Sequence, residues 1–416
     1  MEMLFTHIRQ LVQVREVQVG PLRGAQMSEL PCLEEAYLLV KEGRIADYGL
    51  MENCPELPGI PRKNLEGRIV LPGWCDSHTH LVYAGNRSGE FVDRIKGLSY
   101  NEIAEKGGGI LNSARLLQAT DEEELYQQAA TRLEEVIALG TTSLEIKSGY
   151  GLTPEAELKM LRVVRQLKQN YAVDIRATFL AAHALPLEYK EKKQAFLDLM
   201  LGETLKEVSA QGLADYIDVF CERGYFDLED TRQVVEAGQK QGLPAKIHVN
   251  QFNAFGGVGL AVEHQALTVD HLEELRPKDL EALNQSDTLA VALPGCSHFL
   301  GIPYTPGREL IDAGVPLVLA TDYNPGSAPS GNMNFVVSLG CVKMKLTPEE
   351  AINAATLNGA FAMGLEKELG SISVGKKAHL LVTQPLESYG EIPYRFAHNL
   401  IDEVYLDGEL WISKKN

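Results

Sequence analysis

Positive charge is in short supply. Lysine and arginine number 39 against 57 aspartates and glutamates, a formal net charge of −18 over 416 residues. Binding a polyanion needs clustered Lys and Arg, so nucleic acid is not an expected partner. Long apolar runs are missing too: no segment approaches the ~18 uninterrupted apolar residues of a membrane-spanning helix. Glu2, His7 and Arg9 interrupt the apolar residues at the start, which leaves no hydrophobic stretch of the secretory kind. Cysteine is scarce. Cys32, Cys54, Cys75, Cys221, Cys296 and Cys341 are scattered with no CxxC pair, as suits reduced thiols in a reducing compartment, and none stands out as a nucleophile. The expectation is a cytoplasmic protein with no nucleic-acid or membrane partner.

What is present is an ordinary globular composition, 45% hydrophobic and 23% charged, long enough for one large domain and a smaller one. Near the start, residues 35–40 and 44–48, split by Lys41-Glu42-Gly43, read as a β-hairpin. Residues 370–382 and 404–411 repeat the strand, glycine turn, strand style. Short strands cannot bury enough surface alone, so residues 1–70 and 370–416 are expected to pair into one small β-sandwich domain. Between them, residues 71–369 alternate. Apolar runs at 141–147, 174–183, 216–222, 245–248, 266–271, 288–294 and 316–322 are separated by amphipathic segments such as 122–139, 155–169 and 228–240, and another, 347–363, follows the last. With a strand before them, that makes about eight β/α repeats, the pattern of an α/β fold of the (β/α)8 barrel type.

The chain's organising stretch is Leu71 to His80. An apolar run, a Gly73 turn and then His78 and His80 with one residue between them place both imidazoles on the same side of an extended backbone. Two metal ligands can then come from one strand end. In barrels of this kind chemistry sits at the carboxyl ends of the strands, and the polar residues cluster there: His78 and His80, Lys147, His183, Glu222, His248, His271 and Asp322.

These strand-end residues resemble the amidohydrolase superfamily, whose members hydrolyse C–N and related bonds with one or two metals. The matching phrases are His78-Thr-His-Leu-Val-Tyr-Ala-Gly-Asn-Arg87 with Glu90-Phe91, Glu145-Ile-Lys-Ser-Gly-Tyr-Gly-Leu152, His183-Ala-Leu-Pro186, Asp218-Val-Phe-Cys-Glu222, His248 to Gln251, Asp270-His271-Leu-Glu273 and Ala320-Thr-Asp-Tyr-Asn-Pro-Gly-Ser327. Within the superfamily they are similar to the histidine-degradation branch. The resemblance implies hydrolysis of the small molecule 4-imidazolone-5-propanoate to N-formimidoyl-L-glutamate, by attack of metal-bound hydroxide on the ring carbonyl. A deaminase of a purine or pyrimidine ring is the alternative.

Three imidazoles and the Asp322 carboxylate make a mixed N/O set suited to Zn2+ or to Fe2+/Fe3+, with a position open for water whose pKa falls towards ~7 on binding. The resemblance makes His78, His80, His248 and Asp322 the ligands of a single metal, because the fourth strand ends in Cys221-Glu222 where two-metal relatives carry a bridging lysine. Lys147 ends the wrong strand to bridge; it and Glu222 read as ion-pair partners or loop anchors. His271 is implied to act near the transition state. Arg87 presents a planar fork to a carboxylate, Tyr150 a hydroxyl, His183 a donor to a ring oxygen, and Asn324, Gly326 and Ser327 further donors. Many relatives carry Glu where this chain has Gln251, which cannot accept a proton at neutral pH, so the base falls to Asp322 or His271 and Gln251 is left to bond the ring. The expected assembly is a homodimer.

Overall fold

The computed structural model describes residues 2–16, 20–98, 102 and 108–413. Sixteen strands are found among them: β1 (Met3–Val12), β2 (Cys32–Lys41), β3 (Arg44–Leu50), β4 (Arg62–Asn64), β5 (Arg68–Pro72), β6 (Trp74–Thr79), β7 (Thr141–Lys147), β8 (Asp174–Ala182), β9 (Tyr216–Cys221), β10 (Ala245–Val249), β11 (Thr268–His271), β12 (Leu289–Ala292), β13 (Leu317–Leu319), β14 (Leu380–Pro385), β15 (Ile401–Leu406) and β16 (Glu409–Ser413).

Strands β6 to β13 lie side by side in chain order, all parallel, with helices between most successive pairs. Asp322 N donates to His78 O and His80 N to Tyr323 O, so the last strand's extension meets the first and closes the ring. This is a (β/α)8 barrel. Nearly every residue of β6 to β13 is buried, because helices cover the outside and side chains fill the inside. The expected strand ranges hold to within one to three residues. Residues 347–363 are not one helix. Pro348–Ala355 and Leu357–Ala362 break at Thr356 (φ −120°, ψ −86°), where the Thr356 hydroxyl bonds Ile352 O at 2.6 Å. The break sets Gly359 against β6, so close that a Cβ there would lie 2.4 Å from Cys75 O.

The remaining strands form a second sheet in the order β16-β15-β14-β5-β1-β2-β3, with β4 also on β1. Both chain ends therefore share it, through the β14–β5 antiparallel pair. It is one continuous hydrogen-bonded sheet, curled strongly. The Phe5 and Tyr405 rings, three strands apart in the sheet order, meet edge to face at 5.2 Å, and Ile45 N reaches Lys376 O at 2.9 Å. Of the strand, turn and strand expected over 370–382, only the end is found, as the start of β14 at Leu380. Gly370 (φ 84°) and Gly375 (φ 91°) turn the chain twice within six residues, leaving only single bridges at Ile372 and Lys377.

Candidate metal centre and substrate cleft

His78 lies within β6 and His80 just past it, His248 within β10, His271 ends β11, and Asp322 sits three residues beyond β13. All five are buried. His248 Nε2 faces His80 Nε2 at 3.3 Å, and Asp322 Oδ1 lies 3.6 Å from both His78 Nε2 and His80 Nε2. Burial, reinforced by neighbouring Lys147 or His183, holds the His78, His80 and His248 rings well below the ordinary histidine pKa, so each is neutral and carries a free lone pair. Asp322 (φ 57°) and His271 (φ 91°) both adopt backbone conformations that side-chain-bearing residues seldom take, and such strain persists where surroundings enforce a geometry.

Beneath these groups the barrel interior carries charge. Residues two apart on a strand share a face, which brings Glu145 and Lys147 of β7, Asp218 of β9, Lys246 of β10 and Asp270 of β11 together, all fully buried. Lys147 Nζ donates to Glu145 Oε1 at 2.6 Å and Asp218 Oδ2 at 2.8 Å, with Asp270 Oδ2 at 3.5 Å. Lys246 Nζ bonds Glu145 Oε2 and Ser77 O. The carboxylates then reach upward: Asp270 Oδ2 is 2.6 Å from His78 Nδ1, and Asp218 Oδ2 is 2.9 Å from His248 Nδ1. Asp270 holds the His78 ring by one nitrogen, leaving its Nε2 to face the centre, whereas Asp218 lies beside the His248 ring without hydrogen-bonding its Nδ1. Burial disfavours the Lys147 ammonium, but Asp218, Glu145 and Asp270 outweigh it and raise its pKa above the ordinary lysine value. Its ammonium is thus paired with carboxylates of the barrel interior.

Above the centre a cleft of about 510 Å³ opens to solvent, and a smaller one of about 50 Å³ leads from it to His80, His248, His271 and Asp322. Arg87, Tyr150, His183, Gln251, Asn324, Gly326 and Ser327 all line the larger space. Arg87 Nε donates to Ser113 Oγ at 2.9 Å, whereas its Nη2 is buried with no hydrogen-bond partner. The guanidinium lies against Gly326, where a Cβ would come within 2.2 Å of Nη1. The Tyr150 loop is tied down by Glu157, whose carboxylate accepts from the N–H groups of Gly149, Gly151 and Leu152 at 2.7 to 2.8 Å. Glu222 likewise accepts from Phe252 N and Asn253 N at 2.9 and 3.1 Å and so anchors the loop that carries Gln251.

A sequence profile described as the Amidohydrolase family matches residues 69–410. The chain belongs to the amidohydrolase family. Imidazolonepropionase of Flavobacterium johnsoniae is 58% identical over 98% of this chain and 99% of its own, and that of Alkaliphilus metalliredigens 40% identical over 99% and 98%. Among solved structures, E. coli guanine deaminase aligns with a TM-score of 0.75 at 15% identity over the whole of both chains. An adenosine deaminase from Xanthomonas campestris with bound zinc aligns at 0.71 and 16% identity, over 99% of this chain and 93% of its own. At that identity the deaminases share the fold alone.

Amidohydrolases depend on metal, and the cluster in this amidohydrolase has the chemistry for it. His78 Nε2 is a buried nitrogen with no hydrogen-bond partner, and one ligand atom each from His78, His80 and Asp322 falls within 4.8 Å of the others. Three neutral nitrogens and a carboxylate suit a borderline divalent cation.

Two expectations for the substrate side change. Gly149 O, 2.9 Å from His183 Nδ1, can only accept, so Nδ1 carries the hydrogen. Burial lowers the His183 pKa to about 4; the ring is neutral and its other nitrogen is an acceptor, where the sequence suggested a donor. The donors after Asp322 are already used. Gly326 N and Ser327 N both donate to Asn324 Oδ1 at 2.8 Å, and Asn324 Nδ2 donates to Asp322 O and Ser327 Oγ, so this turn shapes the cleft wall and positions Asp322. Sequence reasoning quoted Asp218 and Asp270 without assigning them a role. Replacing Asp270 with Asn is expected to weaken metal affinity about 10- to 100-fold, because the amide cannot hold the His78 ring as the carboxylate does. Competition against a chelator measures it; an affinity equal to wild type would remove Asp270 from the centre.

Proposed function

We propose that this amidohydrolase opens the ring of 4-imidazolone-5-propanoate to give N-formimidoyl-L-glutamate, consuming one water, with a single zinc or iron held by His78, His80, His248 and Asp322. The observation that carries the reading is Arg87: a buried guanidinium nitrogen without a partner, in the cleft that leads to the His/Asp cluster. Glu90 Oε2 lies 3.8 Å from the Arg87 Nε, but Nη2 has no acceptor, and a propionate from outside the chain supplies one. The high identity to imidazolonepropionases over nearly the full length supports the same substrate.

When bound, the metal supplies an activated water and polarises the ring carbonyl. The residues do the rest. Arg87 takes the propionate and so fixes the ring's distance from the centre. The unprotonated nitrogen of His183 accepts from a ring N–H, and Gln251 bonds the ring without taking a proton. His271, with Glu273 Oε1 3.3 Å from its Nδ1, and Asp322 are the groups placed to take the water's proton and return it to the leaving nitrogen. A homodimer in the cytoplasm completes the proposal, and the exposed side chains of Tyr394 and Phe396 offer neighbouring apolar surface for self-association.

Arg87→Met is expected to cost about 2 to 5 kcal/mol in apparent binding with metal content unchanged, and Arg87→Lys to recover only part, since a point charge cannot reproduce the fork. Wild type should handle an analogue lacking the carboxylate about as poorly as Arg87→Met handles the true substrate. Equal turnover of the uncharged ring by wild type would move the ring-deaminase reading ahead.

A further inference from the structure

Beside the four-ligand set is a second group of side chains that the proposed reaction does not use as a group. Glu273 follows His271 by two residues at the end of β11, and Cys296 lies in the first turn of the helix Pro294–Leu300 after β12. All three are buried, and one ligand atom from each falls within 4.8 Å of the others. His271 Nδ1 and Ser297 Oγ approach Glu273 Oε1 at 3.3 and 3.2 Å. The other oxygen, Oε2, is buried with no hydrogen-bond partner. A bare carboxylate oxygen away from water is costly, so something outside the chain is needed to satisfy it.

We propose that His271, Glu273 and Cys296 form a second cation site, for a thiophilic divalent metal such as Zn2+, that inhibits the enzyme when filled. One nitrogen, one oxygen and one sulfur favour zinc over magnesium or calcium, which prefer oxygen alone. Coordination takes the Cys296 sulfur as thiolate and releases its proton to solvent. Two consequences reach the reaction. A metal here occupies a nitrogen of His271 and so removes a proton-handling group. It also claims the sulfur that accepts from Gln251 Nε2 at 3.4 Å, freeing the amide that lines both clefts.

The test starts from holoenzyme with one metal equivalent and adds Zn2+ in equilibrium dialysis, with activity followed in parallel. A second equivalent should bind, and activity should fall at least tenfold as it does. Repeating the titration with Co2+ should bring up a thiolate-to-metal charge-transfer band in the near ultraviolet. Cys296→Ser should keep the first equivalent, lose the band and bind the second at least tenfold more weakly; Glu273→Gln, read by metal count alone, should weaken the same equivalent. The stoichiometry and the band do not depend on the proposed reaction, and only the inhibition rests on it. A wild type that stops at one equivalent, or a second equivalent indifferent to both substitutions, overturns the site.

Discussion

His78→Ala and Asp322→Ala are each expected to lose the bound metal and at least ~10³-fold in turnover, because water without the metal is far less acidic than metal-bound water. The barrel should persist in both. Its walls are packed from Val, Ile, Leu and Ala of β6 to β13, away from the His/Asp cluster. The two variants differ in a useful way. His78→Ala also removes the partner of Asp270 Oδ2 at 2.6 Å inside the buried charge network, and should melt earlier; Asp322→Ala leaves behind only neutral hydrogen-bond partners of that carboxylate, Ser327 Oγ at 3.2 Å from Oδ2 and the Cys296 thiol. Elemental analysis of protein purified without added metal, with circular dichroism for the fold, decides the matter. Full occupancy in both variants would mean that the cluster is not the metal centre.

The strand-end residues were legible because two independent signals coincide on them. Each closes an apolar run that a parallel barrel must bury on both faces, and each is a polar type that such a run otherwise lacks. The charged residues deeper in the strands carried the same information in a form that is easier to misread. Glu145 and Lys147, Asp218 and Phe220, Lys246 and His248, Thr268 and Asp270 all step by two and so share the inward face. Taken one at a time, however, a Glu or Lys in a strand looks like the end of the run. Lys147 read as an ion-pair partner or loop anchor, and the structure shows the pair. What no pattern in sequence could give is which hydrogen bond each polar group has already made. The Gly149 carbonyl that sets the His183 tautomer, and the Asn324 amide that consumes the Gly326 and Ser327 donors, are contacts of backbone conformation.

Lys147→Met is expected to destabilise the fold by about 3 to 5 kcal/mol and to weaken metal binding without changing the number of metals bound. Two ammonium groups, Lys147 and Lys246, hold three carboxylates, Glu145, Asp218 and Asp270, in a space closed to water. Removing one partner of a buried ionic group costs more than the group contributed, because the charges left behind have no water to return to. Here Asp218 and Asp270 lose a cation at 2.8 and 3.5 Å and repel each other, and both lie against the imidazoles above them. The expected coupling is specific. Adding Glu145→Gln to Lys147→Met removes one uncompensated charge and should restore part of the lost stability, whereas Glu145→Gln alone, which deprives both lysines, should destabilise. Denaturation midpoints of the four proteins in metal-free form give the cycle. If Lys147→Met stays within about 1 kcal/mol of wild type and keeps its metal affinity, the network does not hold the ligands; if it loses one of two bound metals, Lys147 bridges a two-metal centre after all.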